Sequence, residues 1–178
     1  FANLGMETDA RILCELLNVR EPDWQSCVEA CLGERRFDIL VSPKHYRTAK
    51  RVFEQLGAEV GRVSLLDTPA LERDAGRGRG PEASSLATKV TSENWLAQSY
   101  VNDLLGRIIC CDTSETLEEY PHSATRELLR HFPYRLARLR APDLFIGLDA
   151  RKRQLKEARE ELAELGKRLE TLKGQERL

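Results

Sequence analysis

The sequence predicts an α/β fold: two small lobes of related design, followed by a helical arm. Three observations carry that prediction. Short, continuously apolar runs at residues 37–41 (FDILV) and 107–111 (RIICC) alternate with amphipathic helical stretches. The order helix, strand, helix occurs over residues 22–56 and again over residues 95–120, though residue-level similarity between the two is slight. Finally, Leu148, Leu155, Leu162 and Leu169 step by sevens through a charged C-terminal stretch. Strands alternating with helices imply crossover connections and a largely parallel sheet.

Composition bounds the function classes. The 178 residues suffice for one well-cored domain or two small lobes. A net charge of −1 with 32% charged residues describes a heavily charged surface, not a nucleic-acid protein declared by its overall charge. No run approaches the roughly 18 apolar residues of a membrane-spanning helix, and no signal-peptide pattern opens the chain. Five cysteines (Cys14, Cys27, Cys31, Cys110 and Cys111) are an odd number scattered through apolar stretches. That usage fits a reduced, cytoplasmic protein better than a disulfide scaffold. The opening Phe1 suggests a fragment of something longer, with residues 1–10 as a trimmed N-terminal arm.

The first lobe spans residues 11–67. Ile12, Leu13, Leu16 and Leu17 mark a buried segment whose periodicity favours neither helix nor strand. Pro22 suits a first helical position, where its missing N–H costs nothing. Trp24, Cys27, Val28, Cys31 and Leu32 then recur at helical spacing, and Gly33 can close the helix. Cys27 and Cys31 lie four apart with no second ligand pair at usable spacing, so they read as core. Residues 37–41 have the signature of a strand covered on both faces. Ser42 and Pro43 start a second helix with Tyr46, Ala49, Phe53 and Leu56 on one face, ended by Gly57. Its other face, with Lys44, Arg47, Lys50 and Arg51, is a solvated surface or a phosphate-contacting patch. Residues 60–66 return as a strand, parallel to the first through a right-handed crossover.

Residues 68–92 are rich in Gly, Arg, Ser and Ala and read as a flexible linker. Their GRGRGP segment has neither the Lys-Ser/Thr of a phosphate loop nor dinucleotide-fold glycine spacing. Arg73, Arg77 and Arg79 are candidates for weak, salt-sensitive contact with a nucleic-acid backbone.

The second lobe covers residues 93–148. Trp95, Leu96, Tyr100, Val101, Leu104 and Leu105 form an amphipathic helix ending at Gly106. After the RIICC strand, Asp112 and Glu115 make a capping-box pattern for a short helix that carries Leu117 and Tyr120 and stops at Pro121. Arg126, Arg130, Arg135, Arg138 and Arg140 then interleave with His131, Phe132 and Tyr134. Such a pattern is either a charge-and-stacking surface for nucleic acid or ordinary exposed surface. His45, His122 and His131 lack acid–base partners and read as surface residues, and Glu118 and Glu119 read as solvated. No nucleophile stands beside a base, and no metal-ligand spacing occurs. Residues 149–178 read as a coiled-coil arm of about three heptads, with Leu155, Leu162 and Leu169 alternating with Ala158, Leu165 and Leu172. A seam of this length calls for a partner helix.

Residues 16–41, LLNVREPDWQSCVEACLGERRFDILV, resemble the opening of the hinge of structural-maintenance-of-chromosomes (SMC) proteins. GRVSLLD at 61–67 looks like the strand that closes the first hinge lobe. LLGRIICCDTSETLEEYP at 104–121 is similar to the family's second-lobe segment. Within the superfamily, these segments together with SPKHYRTA, SSLATKV and the stretch around ATRELLRH look closest to the bacterial MukB-like, Mks and Wadjet branch. The resemblance implies a homodimerisation hinge joining the coiled-coil arms of an ATPase that condenses, extrudes or restricts DNA, with other condensin-like subunits bound elsewhere on the parent. It implies nucleotide-binding heads outside this chain, which has no Walker motif and is expected to need no cofactor or metal. It also implies a nucleoid-associated location and no membrane partner. The glycine-rich closing stretch of ordinary hinges is replaced here by APDLFIGLDA, which makes Leu144, Phe145, Ile146 and Gly147 the expected dimer contact. Any DNA contact through the arginines would be independent of sequence. The alternative is a stand-alone DNA-binding adaptor with a coiled-coil tail.

Overall fold

The computed structural model describes residues 9–56, 63–75, 77, 80–147 and 150–175, with arm side chains described at 155, 156 and 159–169. In chain order, the first half holds β1 (Arg11–Ile12), β2 (Asn18–Val19), α1 (Gln25–Leu32), β3 (Ile39–Leu40), α2 (Tyr46–Gln55) and α3 (Thr68–Asp74). The second half holds β4 (Val90–Thr91), α4 (Trp95–Leu105), β5 (Ile109–Cys110), β6 (Ser123–Ala124), β7 (Leu129–Phe132), β8 (Arg135–Arg138) and α5 (Ala150–Gln175). Short 3-10 turns connect many of them.

Local signals account for most helix ends. A 3-10 turn from Pro22 leads into α1, and Gly33 at φ +56° closes it, a conformation that costs glycine nothing. Before α2, the Ser42 N–H donates to the Asp9 carboxylate at 3.1 Å, which also meets His45 Nδ1 at 3.0 Å. His45 therefore has an acidic partner that its sequence context did not announce. Asn94 caps α4 by accepting from the Leu96 and Ala97 N–H groups at 3.0 and 3.1 Å. The capping box expected from Asp112 does not form. Thr113 takes the cap position of a 3-10 turn over Ser114–Glu119 without a side-chain bond, and Asp112 pairs instead with Arg126 at 2.9 Å.

The sheets differ from the parallel arrangement expected. β1 pairs antiparallel with β3, β2 antiparallel with β4, and the remaining sheet has the order β5-β6-β7-β8 with only β5–β6 parallel. Of the expected strand at 60–66, residues 60–62 lie outside the described residues, and the described part forms a parallel bridge between Leu65 and Ile39. On its other edge β3 pairs with β1, from the segment whose periodicity favoured neither helix nor strand.

Residues 68–92 are not a plain linker. They contain α3, capped by the Asp67 carboxylate on the Ala70 N–H, and a 3-10 turn over Leu86–Lys89 that leads into β4. Leu86, Ala87 and Val90 are buried. They join a core of Leu13, Leu17, Trp24, Cys27 and Val28 from the first half with Ala97, Val101, Leu105 and Ile146 from the second. The two lobes are packed on one shared hydrophobic cluster. Each such large side chain contributes about 1.5–3 kcal/mol when taken out of water. All five cysteines are free thiols within or against these apolar regions, and burial pushes the Cys14 thiol up to about 11.

Candidate dimer interface and arm root

The basic stretch folds as the outer half of the four-stranded sheet. β7 and β8 form a tight hairpin whose register pairs Phe132 with Arg135, leaving Pro133 and Tyr134 as the turn. Tyr134 sits at φ +67° and is fully exposed. A non-glycine residue in that left-handed region is uncommon; with Pro133 fixing a negative φ at the first central position, a positive φ at the second is the type II pattern. β8 is the last strand of the sheet, with no strand on its outer side among the described residues. Arg135, Leu136 and Arg138 on it are exposed, Leu136 at 54%. An edge strand with free backbone donors and acceptors is a template for pairing unless it is covered.

The arginines are not gathered into one patch. Arg130 and Arg135 place their guanidinium carbons 4.3 and 4.5 Å from the Phe132 ring centre. Arg126 lies 4.9 Å from the Trp24 ring and is paired with Asp112. Arg138 donates to the Glu127 carbonyl at 3.3 Å, and Arg140 is exposed. Arg73 is exposed beside Asp74 at 3.6 Å, Arg77 is exposed, and Arg79 lies outside the described residues. The sheet thus brings Arg130, Arg135 and Arg138 together on one hairpin, while Arg73 and Arg77 belong to the α3 region.

The segment expected to meet a second copy is placed differently. Ile146 is 1% exposed, inside the shared core, and Phe145 packs edge-on to Phe37 at 4.8 Å between ring centres. Ile146 thus has almost no area left for a partner, while Phe145 is half-buried against the core. Leu144 is half-buried, and Gly147 turns the chain at φ +105°. Residues 144–147, the expected dimer contact, are also the root of α5 in chain order, ending three residues before Ala150.

What holds that root is Glu29, which sequence reasoning missed. Its carboxylate is fully buried and accepts from the Phe145 N–H at 2.8 and 3.0 Å, from the Ile146 N–H at 3.0 Å and from Gln25 Nε2 at 3.2 Å. Gln25 also donates to the Ile146 carbonyl at 3.0 Å. Arg36 donates to the Glu29 carbonyl at 3.1 Å, keeps its Nε 3.8 Å from the carboxylate, and lies about 5 Å from the Phe37 and Phe145 rings. The available signal was a charged residue flanked by Val28 and Leu32 on an otherwise apolar helix.

Along α5, Leu155, Leu162, Leu165 and Leu169 are 53–71% exposed. The side chains of Ala158 and Leu172 lie outside the described residues. Among the described residues no group of three His, Cys, Asp or Glu side chains is placed to hold a metal ion, and no helix is long and apolar enough to cross a membrane.

The fold is similar to that of solved structures. The hinge of Geobacillus stearothermophilus SMC, solved as an asymmetric dimer, superposes with a TM-score of 0.53 at 18% identity, covering 88% of this chain and 67% of that one. The Pyrococcus furiosus Smc hinge with an extended coiled coil gives 0.51 at 17% identity over 92% of this chain, which spans 57% of that chain's length. A second Pyrococcus furiosus SMC hinge structure gives 0.53 at 15% identity, covering 83% of this chain and 79% of that one. The fold is thus of the SMC-hinge type. Residues 7–120 match the family model described as the SMC proteins Flexible Hinge Domain, and the chain belongs to that family. No curated protein matches it in sequence.

Proposed function

We propose that this chain is the dimerisation hinge of an SMC-like ATPase, pairing two copies so that their coiled-coil arms are joined at one end. The parent chain would carry its nucleotide-binding heads elsewhere, bind other condensin-like subunits away from the hinge, and condense, extrude or restrict DNA, as the resemblance to the MukB-like, Mks and Wadjet branch implies. The observation that carries the pairing is the exposed edge of β8, with Leu136 and Tyr134 projecting beside free backbone groups. Strand addition at such an edge draws affinity from main-chain hydrogen bonds and specificity from alternate side chains. A stable pair needs roughly 1,200 Å² of total buried surface, so the hairpin would be one part of a larger contact.

The arginines of the hairpin support at most a weak, phosphate-directed DNA contact. Arg126 and Arg138 are engaged within the chain, and the net charge of −1 supplies no general attraction. Those facts favour the hinge over the stand-alone adaptor.

Light scattering over a concentration range tests the reading, using the chain, its Leu136→Glu variant and a version lacking residues 150–178. A dimer that survives trimming and is split by Leu136→Glu supports both the hinge and the β8 edge. A dimer indifferent to Leu136→Glu moves the contact away from β8. A dimer lost on trimming alone assigns pairing to the arm, and a monomer at every concentration overturns the hinge reading.

A further inference from the structure

We infer that Glu29 is the positioning residue that fixes the root of the arm to the hinge core. The buried carboxylate clasps the backbone of residues 145–146, just before Gly147 and four residues ahead of the start of α5 at Ala150. This rests on reading α5 as the arm. The clasp itself is a matter of geometry and does not depend on whether the chain pairs.

The chemistry of the clasp is specific. The N–H groups of Phe145 and Ile146 are successive donors that converge on one oxygen, Glu29 Oε1, at 3.0 Å each, while Oε2 takes a second contact from Phe145 at 2.8 Å. Consecutive backbone N–H groups aimed at one anion form a small nest. No strand pairs with this segment among the described residues, so the carboxylate does the work that a neighbouring strand would otherwise do. An apolar side chain at position 29 would leave two inward-facing donors without a partner, which is costly where water does not reach. Burying a full charge is itself costly, and it is tolerated where the geometry satisfies every lone pair and a cation stands nearby. Gln25 and Arg36 supply those additional partners. Arg36 also links the clasp to the Phe37–Phe145 ring pair, so that the backbone and the side chain of residue 145 are held from the same side.

Directly after the clasp stands Gly147 at φ +105°, a backbone state open to glycine and strained for other residues. A fixed point followed at once by a turn that only glycine takes readily is how a rigid core sets the direction of an outgoing helix. Because Glu29 lies on α1, inside the shared core, any displacement of the arm root is felt by the helix against which both halves pack.

Amide hydrogen exchange on the 178-residue chain, compared with Glu29→Gln, tests this. The Phe145 and Ile146 amides should exchange roughly tenfold faster or more in the variant, the loss expected when buried donors forfeit a charged acceptor. The Val101 and Leu105 amides in α4 should stay as protected as before. Nitrogen-15 relaxation should show α5 reorienting more independently of the core. Unchanged exchange at residues 145 and 146 would overturn the proposal. So would a uniform rise that includes α4, since it would reduce Glu29 to a contributor to overall stability. Gln25→Ala is the second variant should Glu29→Gln not fold. It removes the bond to the Ile146 carbonyl while leaving the carboxylate, and should give the same selective pattern with a smaller amplitude; a uniform or absent change there also overturns the proposal. None of these readouts depends on dimer formation, so failure here and failure of the hinge reading are separable.

Discussion

Asp38 and Tyr100 join the two halves through a single hydrogen bond, the phenol donating to the carboxylate at 2.9 Å. Burial raises the Asp38 pKa, with the bond from Tyr100 opposing the shift. Burial, reinforced by the bond to Asp38, raises the Tyr100 phenol well above its ordinary value of 10.0. The consequence for stability has a definite sign. Above about pH 10 the unfolded chain releases the Tyr100 proton while the folded chain retains it, so stability falls as pH rises through that range. Tyr100→Phe should remove this part of the alkaline loss while costing about 1–3 kcal/mol at neutral pH, where it strips the carboxylate of one donor and leaves it those of Ser64. Urea midpoints at neutral pH and near pH 11 check both statements; parallel pH slopes for the two proteins would contradict the first. Neither partner could be chosen from sequence. Asp38 stands in an apolar run and Tyr100 on a helix 62 residues later, and only packing brings them together. The cysteines were legible, by contrast, because a free thiol behaves as a small apolar group and its neighbours along the chain already announced burial.

Elements were readable where a local rule fixes them. The helical spacing of α1, the turn from Pro22 and the glycine after Leu32 are local facts, and the structure follows them. The cap of α4 is as local, although the sequence reading did not pick out Asn94. Asn94→Ala should destabilise the fold by about 1 kcal/mol, seen as a lower urea midpoint at unchanged slope, because it deprives two N–H groups of their acceptor. Asn94→Gly should cost only a few tenths of that amount. The β7–β8 hairpin was harder to read. No Asn-Gly or Asp-Gly marks its turn, and Tyr134 takes the left-handed conformation instead, so its arginines and aromatics read only as a nucleic-acid surface or ordinary exposed surface, with no hairpin in view. The linker reading of residues 68–92 failed for a related reason. A few buried residues, Leu86, Ala87 and Val90, decide the fate of a stretch whose average composition is polar.

At the scale of the molecule, the shared core has a measurable consequence. Leu13 from the first half and Leu105 from the second belong to one buried cluster, each fully out of solvent. Leu13→Ala and Leu105→Ala should each cost about 2–5 kcal/mol and should shift one cooperative transition. Two separable transitions, each sensitive to one substitution only, would mean that the halves fold as independent lobes. By itself the sequence determined the mixed α/β class, the helical spacing of α1, the C-terminal helix and the apolar setting of the thiols, because periodicity and local composition act over a few neighbouring residues. Only the tertiary structure decided that β1 pairs with β3, that β8 is left as an edge among the described residues, and that Phe145 and Ile146 pack against distant parts of the chain. Those outcomes turn on contacts between positions far apart in the chain, of which the bond from Ile146 to Glu29, spanning 117 residues, is the clearest case. No local pattern encodes which distant donor a buried carboxylate will meet.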